Sequence, residues 1–270
     1  MQVYCIIGDE RAYRAKSTAI FTAILNRMGI KGAYVPFKVD PANIGQAMQS
    51  LRILNIAGAN VTAPYKETVI PHLDVLSEGA NIIGAINTIV RQGNELKGYN
   101  TNAIGFMDAL NDVGFEAGDK SALVFGTGGV AKAVVFILNW LRTKTIYVSG
   151  RDEAEARKMV RRFGGEVLSL SELEGRPLAV HIIVNATSVS SRDESPEFDA
   201  LVQTLELPVC ELVMDLNYDR SQNFWQSMAE ARGIQFADGL KPLAYQVRRT
   251  FALWTGLQVA AEEFISVLSV

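Results

Sequence analysis

The sequence has few of the residues that build metal sites and disulfides, and it has no long apolar run. Only two cysteines, Cys5 and Cys210, and two histidines, His72 and His181, occur in 270 residues. Each cysteine lies in an apolar, strand-like run and is predicted to be an unreactive buried thiol, and the histidines are too far apart in sequence to suggest a metal site. No apolar run approaches the roughly 18 residues of a membrane span, and no basic and apolar leader starts the chain. We therefore expect a cytoplasmic, reduced protein without a metal or a membrane partner.

An excess of positive charge is also missing. The 26 Lys and Arg residues face 29 Asp and Glu, which gives a net charge of -3. A broad basic surface is typical of proteins that bind a phosphate backbone, so nucleic acid is not an expected partner. With 49% hydrophobic and 20% charged residues the chain has the balance of a globular protein of one large or two moderate domains. A small molecule is the expected ligand, and the sequence leaves open whether the protein is a monomer or a homodimer.

Apolar runs of strand length alternate with segments of helical periodicity along the chain. The first predicted strands are residues 2–7, 32–37 and 57–61, and the first predicted helices are residues 18–28 and 43–54. Such alternation predicts parallel strands joined by crossover helices. Residues 86–91 and 95–99 flank Gln-Gly-Asn and predict a hairpin, and so an antiparallel edge of the sheet.

A second α/β region begins after Asp119. Its predicted strands are residues 122–125, 145–149, 180–184 and 209–216, and its first predicted helix is residues 130–141. This is the pattern of a doubly wound nucleotide-binding domain. Ser171 and Glu174 have the spacing of a capping box. The last segments, 242–254 and 259–268, predict two amphipathic helices with no strand between them.

A glycine-rich turn lies between the first strand and the first helix of this second region. Residues 126–131 match the pattern G-x-G-x-x-A. Glycines let the backbone turn tightly and approach a pyrophosphate, whose charge is bound by free N–H groups at the helix N-terminus. The cofactor-binding residues predicted here are Gly126, Thr127, Gly128, Gly129, Val130 and Ala131. No Gly-Lys-Ser/Thr follows, so a nucleotide-hydrolysing P-loop is excluded.

The tip of the next strand bears on the choice of cofactor. Residues 149–152 read Ser-Gly-Arg-Asp, and a basic residue at this tip can hold the 2′-phosphate of NADP, whereas an acid would bind the ribose hydroxyls of NAD. Arg151 therefore favours NADP, with Ser149 and Asp152 beside it. The carboxylates of Asp152 and Glu155 oppose a phosphate, which weakens the preference and leaves NAD possible. The alternative is that Arg151 and Asp152 form a solvated loop pair.

Three polar clusters, each at the end of a short apolar run, are the most informative feature of the chain. Residues 60–66 read Asn-Val-Thr-Ala-Pro-Tyr-Lys, residues 84–88 Gly-Ala-Ile-Asn-Thr, and residues 98–102 Gly-Tyr-Asn-Thr-Asn. Together they can surround one small polar ligand, and Lys66 is the only group among them able to move a proton. A positioned base typically accelerates a reaction such as alcohol oxidation by about 10²–10⁴-fold, so the clusters suggest an enzyme. A lone lysine is otherwise usually a solvated surface charge.

These segments resemble the shikimate dehydrogenase family, in which Asn-Val-Thr-x-Pro-(Phe/Tyr)-Lys, Gly-Ala-x-Asn-Thr and Asn-Thr-Asp segments bind a hydroxylated cyclohexene acid. The resemblance covers nearly the whole chain. It implies an α/β substrate domain with a mostly parallel sheet, made of residues 1–103 and 239–270, and a Rossmann-type doubly wound NAD(P)-binding domain, residues 104–238. The implied reaction is reversible NADP-dependent or NAD-dependent hydride transfer between 3-dehydroshikimate and shikimate, or a related acid such as quinate, as in aromatic amino acid biosynthesis.

The resemblance also implies the roles of individual residues. Lys66 and the residue at position 102 would be catalytic. The implied substrate-binding residues are Ser17, Thr62, Asn87, Tyr218 and Gln246. Further implied cofactor contacts are Ala186 and Thr187 in an Asn-Ala-Thr turn, the backbone of Leu216, and Gly239 beside the nicotinamide. The structural alternative is that Gly239 only starts a helix and Asn87 only forms a turn.

The chain departs from the family pattern at Asn102, where relatives carry an acid that hydrogen bonds to the lysine and to the substrate hydroxyl. An amide keeps the shape of the acid but cannot take a proton. Because a nearby carboxylate favours protonated lysine, its replacement lowers the expected pKa of Lys66. We expect reduced or altered activity, and a non-enzymatic NAD(P)-binding sensor on the same scaffold is the main alternative.

A second departure lies near the start of the chain. Tyr13 and Arg14 stand where the family has a histidine and the first of two serines that bind the substrate carboxylate, and only Ser17 matches the second serine. Arg14 or Lys16 can then bind the carboxylate, because a cation holds an anion more strongly than a neutral hydroxyl does.

A methyltransferase that binds S-adenosylmethionine at the glycine turn is the alternative from another enzyme class. Such a methyltransferase is expected to have an acidic residue at the tip of the second strand, where this chain has Arg151.

Overall fold

The computed structural model describes residues 1–175 and 177–268. These divide into two compact units: unit 1 is Met1–Gly105 together with the chain from Leu243 onwards, and unit 2 is Phe106–Pro242. The chain thus leaves unit 1 after residue 105 and returns after residue 242, where the sequence predicts boundaries after 103 and 238. The α/β class predicted from the alternating pattern is confirmed.

The strands and helices follow the predicted pattern closely, with ends that differ by a few residues. The strands are β1 (Gln2–Gly8), β2 (Gly32–Lys38), β3 (Gly58–Val61), β4 (Val75–Leu76), β5 (Thr88–Gln92), β6 (Glu95–Tyr99), β7 (Ser121–Phe125), β8 (Thr145–Ser149), β9 (Glu166–Val167), β10 (Ile182–Asn185), β11 (Leu212–Asp215) and β12 (Gln235–Ala237). The α-helices are α1 (Ser17–Arg27), α2 (Ile44–Ile53), α3 (Glu78–Ile83), α4 (Thr101–Asp112), α5 (Gly129–Trp140), α6 (Glu153–Phe163), α7 (Pro196–Thr204), α8 (Phe224–Ala231), α9 (Leu240–Thr255) and α10 (Ala261–Leu268). Short 3-10 helices cover Glu10–Arg14, Pro41–Asn43, Ile70–His72 and Leu170–Leu173.

Unit 1 has a mixed sheet with the strand order β2-β1-β3-β5-β6-β4. β1 is parallel to β2 and β3, whereas β5 is antiparallel to both β3 and β6. The predicted hairpin is therefore confirmed, but its position at the edge of the sheet is wrong. The two-residue strand β4 pairs with β6 and takes the edge, and a strand this short leaves no period-2 pattern in the sequence.

The core of unit 1 explains why the last two helices return to it. Phe251 of α9 and Phe264 of α10 are buried in one apolar cluster with α1 and β1. Trp254 stacks on Tyr4 with ring centroids 4.7 Å apart. Gly58 leaves room for this indole, because a Cβ at that position would lie 2.2 Å from Nε1 of Trp254.

Unit 2 has an all-parallel sheet with the strand order β12-β11-β10-β7-β8-β9. The order proceeds in opposite directions on the two sides of β7, which is the doubly wound arrangement predicted from the sequence. In such sheets the carboxyl ends of the strands form the edge where ligands bind. One detail of the prediction is wrong: the capping box is formed by Ser169 and Glu172, two residues before the predicted pair Ser171 and Glu174.

Two sequence expectations concern the surface and the thiols. Within residues 1–175 and 177–268, no helix combines the length and the apolar character needed to cross a bilayer. Neither Cys5 nor Cys210 is in a disulfide. Burial raises the pKa of the Cys5 thiol to about 12 and that of Cys210 to about 11, as expected of unreactive thiols. Cys5 is buried as predicted, but Cys210 is only half-buried and lies before β11, which begins at Leu212.

Candidate active site

Lys66 lies on the loop that follows β3. The backbone N–H of Thr62 donates to the carbonyl of Ile7 at 2.9 Å, and Ile86 donates to the carbonyl of Lys66 at 2.8 Å. The loop is thus fixed to the end of β1 on one side and to the residue before Asn87 on the other. Gly8 permits this approach, since a Cβ there would lie 2.2 Å from Cγ2 of Thr62.

The ammonium group of Lys66 is half-buried and has no hydrogen-bond or ion-pair partner among the described residues. Burial disfavours the charged form and lowers the pKa of Lys66 to about 8. The side chain therefore differs from a solvated surface lysine. It is poised to take or to give a proton near neutral pH.

Asn87 is the centre of a buried polar cluster in unit 1. Its Oδ1 accepts a hydrogen bond from the backbone N–H of Thr101 at 2.7 Å. Its Nδ2 lies 3.1 Å from Oδ1 of Asn102 and 2.7 Å from Oε1 of Gln246. Three of the residues singled out in the sequence are thus brought together, although Gln246 is 159 residues away from Asn87 along the chain.

Three threonine hydroxyls support this cluster. Thr88 and Thr101 belong to the polar segments of the sequence but had no predicted role, and Thr250 was not predicted. Oγ1 of Thr88 lies 3.1 Å from Oγ1 of Thr101 and 2.9 Å from Oγ1 of Thr250, and all three residues are buried. Oγ1 of Thr101 is also 3.1 Å from Oε1 of Gln246. The spacing of Gln246 and Thr250, four residues apart on one helix, is the signal that could have found Thr250, because such residues share a helix face.

Ser17 is connected to the same network. It is the first residue of α1 and is 4% exposed. The hydroxyl of Tyr34 lies 3.2 Å from Oγ of Ser17 and donates to Oδ1 of Asn60 at 2.9 Å. Nδ2 of Asn60 then donates to the carbonyl of Asn87 at 3.0 Å, so hydrogen bonds run without a break from Ser17 to Asn87.

The residues that replace the family's His and first Ser do not belong to this buried network. Tyr13 is 60% exposed and Arg14 is exposed, both on the 3-10 helix Glu10–Arg14. Lys16 is half-buried and immediately precedes α1. Arg14 is therefore open to a ligand or to solvent.

In unit 2 the glycine turn has the geometry of a pyrophosphate cradle. Gly126 has φ +115°, and a Cβ there would lie 2.8 Å from the carbonyl oxygen of Ala186, so a side chain is excluded. Gly128 precedes α5 as its N-cap, and a Cβ at Gly128 would meet no described heavy atom within 4 Å. The open side of the turn thus leads to the N–H groups at the start of α5, which include those of Gly129, Val130 and Ala131. Thr127 lies between the two glycines and is half-buried.

The three residues predicted to contact the cofactor at the end of β8 have different surroundings in the structure. Ser149 is fully buried and its carbonyl accepts from the N–H of Gly126 at 2.8 Å, so it supports the turn. Asp152 caps α6 by accepting from the N–H groups of Ala154 at 2.9 Å and Glu155 at 3.2 Å. Arg151 is exposed and has no ion pair or hydrogen bond within the described residues. A solvated pair of Arg151 and Asp152 is therefore not formed.

A buried carboxylate, Asp215, holds the loops that follow β10 and β11. It accepts from Nδ2 of Asn185 at 2.8 Å, from the N–H of Asn217 at 3.1 Å and from Nδ2 of Asn223 at 2.6 Å. Oδ1 of Asn185 in turn accepts from Oγ1 of Thr187 at 2.7 Å. Burial raises the pKa of Asp215, and the hydrogen bonds oppose that rise. Asn185 and Asp215 each end a buried strand, and the register of the two strands places them side by side.

Asp215→Asn is expected to lower the free energy of unfolding by about 2–4 kcal/mol, because an amide nitrogen would face groups that are all donors. Chemical denaturation measures this loss. Asp193→Asn, at an exposed position in the same unit, is the control and should change stability by less than about 0.5 kcal/mol. Equal stability of the two variants would show that Asp215 does not organise these loops.

The remaining predicted residues lie close to Asp215. The N–H of Leu216 donates to the carbonyl of Asn185 at 3.0 Å, and Gly239 donates to the carbonyl of Asn217 at 2.9 Å. A Cβ at Gly239 would lie 2.3 Å from the carbonyl oxygen of Leu216, so this position requires glycine for packing. Tyr218 follows β11, is half-buried and belongs to unit 2, whereas Ser17, Thr62, Asn87 and Gln246 belong to unit 1.

Comparison with known proteins agrees with this arrangement of residues. Residues 6–89 match the family described as the shikimate dehydrogenase substrate binding domain, and residues 109–195 match the family described as shikimate / quinate 5-dehydrogenase. A shikimate dehydrogenase (NADP(+)) from Desulforamulus reducens is 35% identical over 93% of this chain and 89% of the relative. The chain belongs to the shikimate dehydrogenase family.

Two further relatives of this shikimate dehydrogenase family member show how far the similarity extends. A shikimate dehydrogenase (NADP(+)) from Geobacillus kaustophilus is 37% identical over 94% of this chain and 93% of its own length. A crystal structure of shikimate 5-dehydrogenase from Thermus thermophilus in complex with NADP(H) and shikimate has a TM-score of 0.87 and 28% identity, and covers 100% of this chain and 99% of that one. The family resemblance inferred from the three polar clusters is confirmed.

Proposed function

We propose that this protein is an NADP-dependent dehydrogenase that interconverts shikimate, or a related hydroxylated cyclic acid such as quinate, and the corresponding ketone. Unit 1 would bind the acid and unit 2 the cofactor. The observation that carries the proposal is the cluster of Asn87, Asn102 and Gln246 next to the loop of a half-buried Lys66 with a lowered pKa. The names of the relatives support the substrate class and the cofactor.

Lys66 would exchange the proton of the reacting hydroxyl. When the alcohol is oxidised, its O–H bond breaks and the amine of Lys66 takes the proton. When the ketone is reduced, the ammonium returns a proton to the oxygen. The nicotinamide cofactor, when bound, accepts the hydride in its oxidised form, NADP, and supplies it in its reduced form, NADPH. The amides of Asn87, Asn102 and Gln246 would orient the ring, because they are fixed to one another by hydrogen bonds of 2.7–3.1 Å and lose little freedom on binding.

The carboxylate of the acid would be held near the start of α1. Ser17 offers one hydroxyl there. Relatives have another serine nearby, whereas this chain has the positive charges of Arg14 and Lys16. A cation with a hydroxyl binds an anion at least as strongly as two hydroxyls. Any acid with a ring hydroxyl of matching spacing could therefore serve, which is why quinate stays a candidate beside shikimate.

Arg151 would select NADP over NAD. It is exposed and lacks a partner within the described chain, so its guanidinium can hold a 2′-phosphate without breaking an existing contact. The carboxylate of Asp152 is engaged in capping α6, and that of Glu155 pairs with Lys158 at 2.5 Å. Both acids thus oppose the phosphate less than the sequence alone suggests, although NAD use stays possible.

Arg151→Ala is expected to raise the KM for NADP by about tenfold and to leave the KM for NAD unchanged, because one charge-assisted hydrogen bond to the 2′-phosphate is lost. Steady-state kinetics with each cofactor measure the effect. Arg161→Ala removes an exposed arginine from α6 and is the matched control. A parallel rise in both KM values would mean that Arg151 does not contact the 2′-phosphate.

The proposal as a whole is tested by absorbance of the reduced nicotinamide, with shikimate and quinate each offered with NADP and NAD. Turnover with at least one pair is the expected result, with NADP preferred. Binding of NADP in a thermal-shift assay without turnover of either acid would instead indicate the sensor. Stabilisation by S-adenosylmethionine but by neither nicotinamide cofactor would indicate the methyltransferase.

A further inference from the structure

The orientation of the amides around Asn87 is determined by a backbone donor. Oδ1 of Asn87 accepts from the N–H of Thr101 at 2.7 Å, so its Nδ2 must be the atom that faces Asn102 and Gln246. An NH₂ group needs acceptors, and its two hydrogens are shared among Oγ1 of Thr101, Oδ1 of Asn102 and Oε1 of Gln246. The oxygens of the Asn102 and Gln246 amides therefore face Asn87, and their nitrogens point away from it.

Those two nitrogens lack acceptors. Nδ2 of Asn102 is buried and has no hydrogen-bond partner in the part of the chain that the structure describes. Nε2 of Gln246 makes no hydrogen bond with the described residues either, although it is not fully enclosed as Nδ2 of Asn102 is. A buried N–H without an acceptor is unfavourable, so Nδ2 of Asn102 favours a ligand that supplies one, and Nε2 of Gln246 can donate to the same ligand.

Lys66 adds donors of the same kind. At pH 7, below its pKa of about 8, it is an ammonium with three N–H groups and no partner among residues 1–175 and 177–268. The unpaired polar atoms of Lys66, Asn102 and Gln246 are then all donors. An acid at position 102 would have an acceptor oxygen in the place of Nδ2 of Asn102, where the amide has a donor.

A ketone and an alcohol differ in the hydrogen bonds that they can make with a site whose unpaired groups are donors. The oxygen of a ketone only accepts, so every hydrogen bond it makes with these donors is favourable. The hydroxyl of an alcohol also accepts, but its own proton requires an acceptor, and a buried hydroxyl proton without one carries a desolvation penalty.

We infer that the unpaired amide nitrogens of Asn102 and Gln246 make this site bind the keto form of its ligand more tightly than the alcohol form. The inference rests on the proposed function, because it concerns the ligand of the same site. It assigns Asn102 as the residue that determines which redox form is retained.

Isothermal titration calorimetry of the whole protein at pH 7, without nicotinamide cofactor, tests the inference. Shikimate and its 3-keto form, 3-dehydroshikimate, are the two ligands, and neither reacts without the cofactor. The keto form is expected to bind about tenfold more tightly, since an unsatisfied donor costs on the order of 1.4 kcal/mol. Asn102→Asp should reduce this ratio about tenfold, because a carboxylate accepts the proton of the alcohol.

Two further variants keep the result interpretable. Gln246→Glu replaces the other unpaired nitrogen by an oxygen and should shift the ratio in the same direction, even where Asn102→Asp fails to fold. Asn111→Asp adds the same charge at an exposed position of α4 and should leave the ratio unchanged.

A wild-type ratio near one, a preference for the alcohol, or an unchanged ratio in both site variants would overturn the inference and leave the proposed function standing. Binding of neither ligand at millimolar concentration, with or without NADP, would overturn the proposed function together with the inference.

Discussion

Lys66→Met is expected to lower kcat for oxidation of the cyclic alcohol by about 10²–10⁴-fold, the range that a positioned proton-transfer group contributes. Methionine matches the aliphatic stem of the half-buried side chain but has no nitrogen to exchange a proton. Because no described residue hydrogen bonds to the ammonium, its loss leaves no partner unpaired and the fold should persist. Steady-state rates and thermal unfolding of the same preparation measure both effects.

Lys31→Met is the matched control, since Lys31 is an exposed lysine in the same unit. It should retain the activity of the wild type within about twofold. Undiminished turnover in Lys66→Met would contradict a catalytic role of this amine. A fall in stability as large as the fall in rate would assign Lys66 to the fold and not to the reaction.

The lowered pKa of Lys66 also predicts how the rate depends on pH. Oxidation needs the neutral amine, so kcat in that direction should rise about tenfold per pH unit below the pKa of about 8 and level off above it. Reduction of the ketone needs the ammonium and should fall as pH rises through the same value. In Lys66→Met both limbs should be lost, which separates this lysine from any other group that titrates in the same range.

The sequence predicted the parts of the fold that have a local pattern. β1 and β2 are apolar runs, and the buried residues Ile20 and Ile24 of α1 recur at the spacing of one helix face. The two-residue strand β4 depends on contacts made elsewhere and leaves no pattern of its own. Ser169 and Glu172 have the same capping-box spacing as Ser171 and Glu174, so the spacing alone does not decide which pair forms the box.

The candidate site divides in the same way. The motif around Asn87 was visible because its residues are contiguous, and Gln246 was found by family resemblance. The hydrogen bond between Thr101 and Thr250 joins residues 149 positions apart and depends on where α9 lies against β5, which no local pattern specifies. Thr88, within a buried strand, reads as an ordinary β-branched residue until Thr250 is placed beside it.

The same distinction applies to unit 2. The glycine turn was recognised from spacing, and its open side at Gly128 agrees with that interpretation. In the sequence, Asp215 is only one residue of the predicted strand 209–216, since a lone acid at that place says nothing of burial. Its importance arises from the register that puts it opposite Asn185, and register between parallel strands 30 residues apart is a tertiary property.

Asn102→Asp is expected to raise kcat for alcohol oxidation by about tenfold to a hundredfold. One carboxylate oxygen can keep the hydrogen bond that Nδ2 of Asn87 now makes at 3.1 Å, and the other replaces the buried nitrogen that has no partner. That oxygen can accept the proton of the substrate hydroxyl and orient it for transfer, a role that the amide cannot fill. Position 102 lies in the first turn of α4, where a negative charge is also stabilised by the helix dipole.

The pH profile distinguishes this explanation from a general gain in activity. A carboxylate near Lys66 favours the ammonium, so the midpoint for oxidation in Asn102→Asp should move above the wild-type value of about 8. Asn111→Asp, on the same helix, should change neither kcat nor the midpoint. A higher rate with an unshifted midpoint would mean that the new acid acts on the substrate alone, whereas a rate that does not rise at all would mean that Asn102 and Lys66 do not act as a pair.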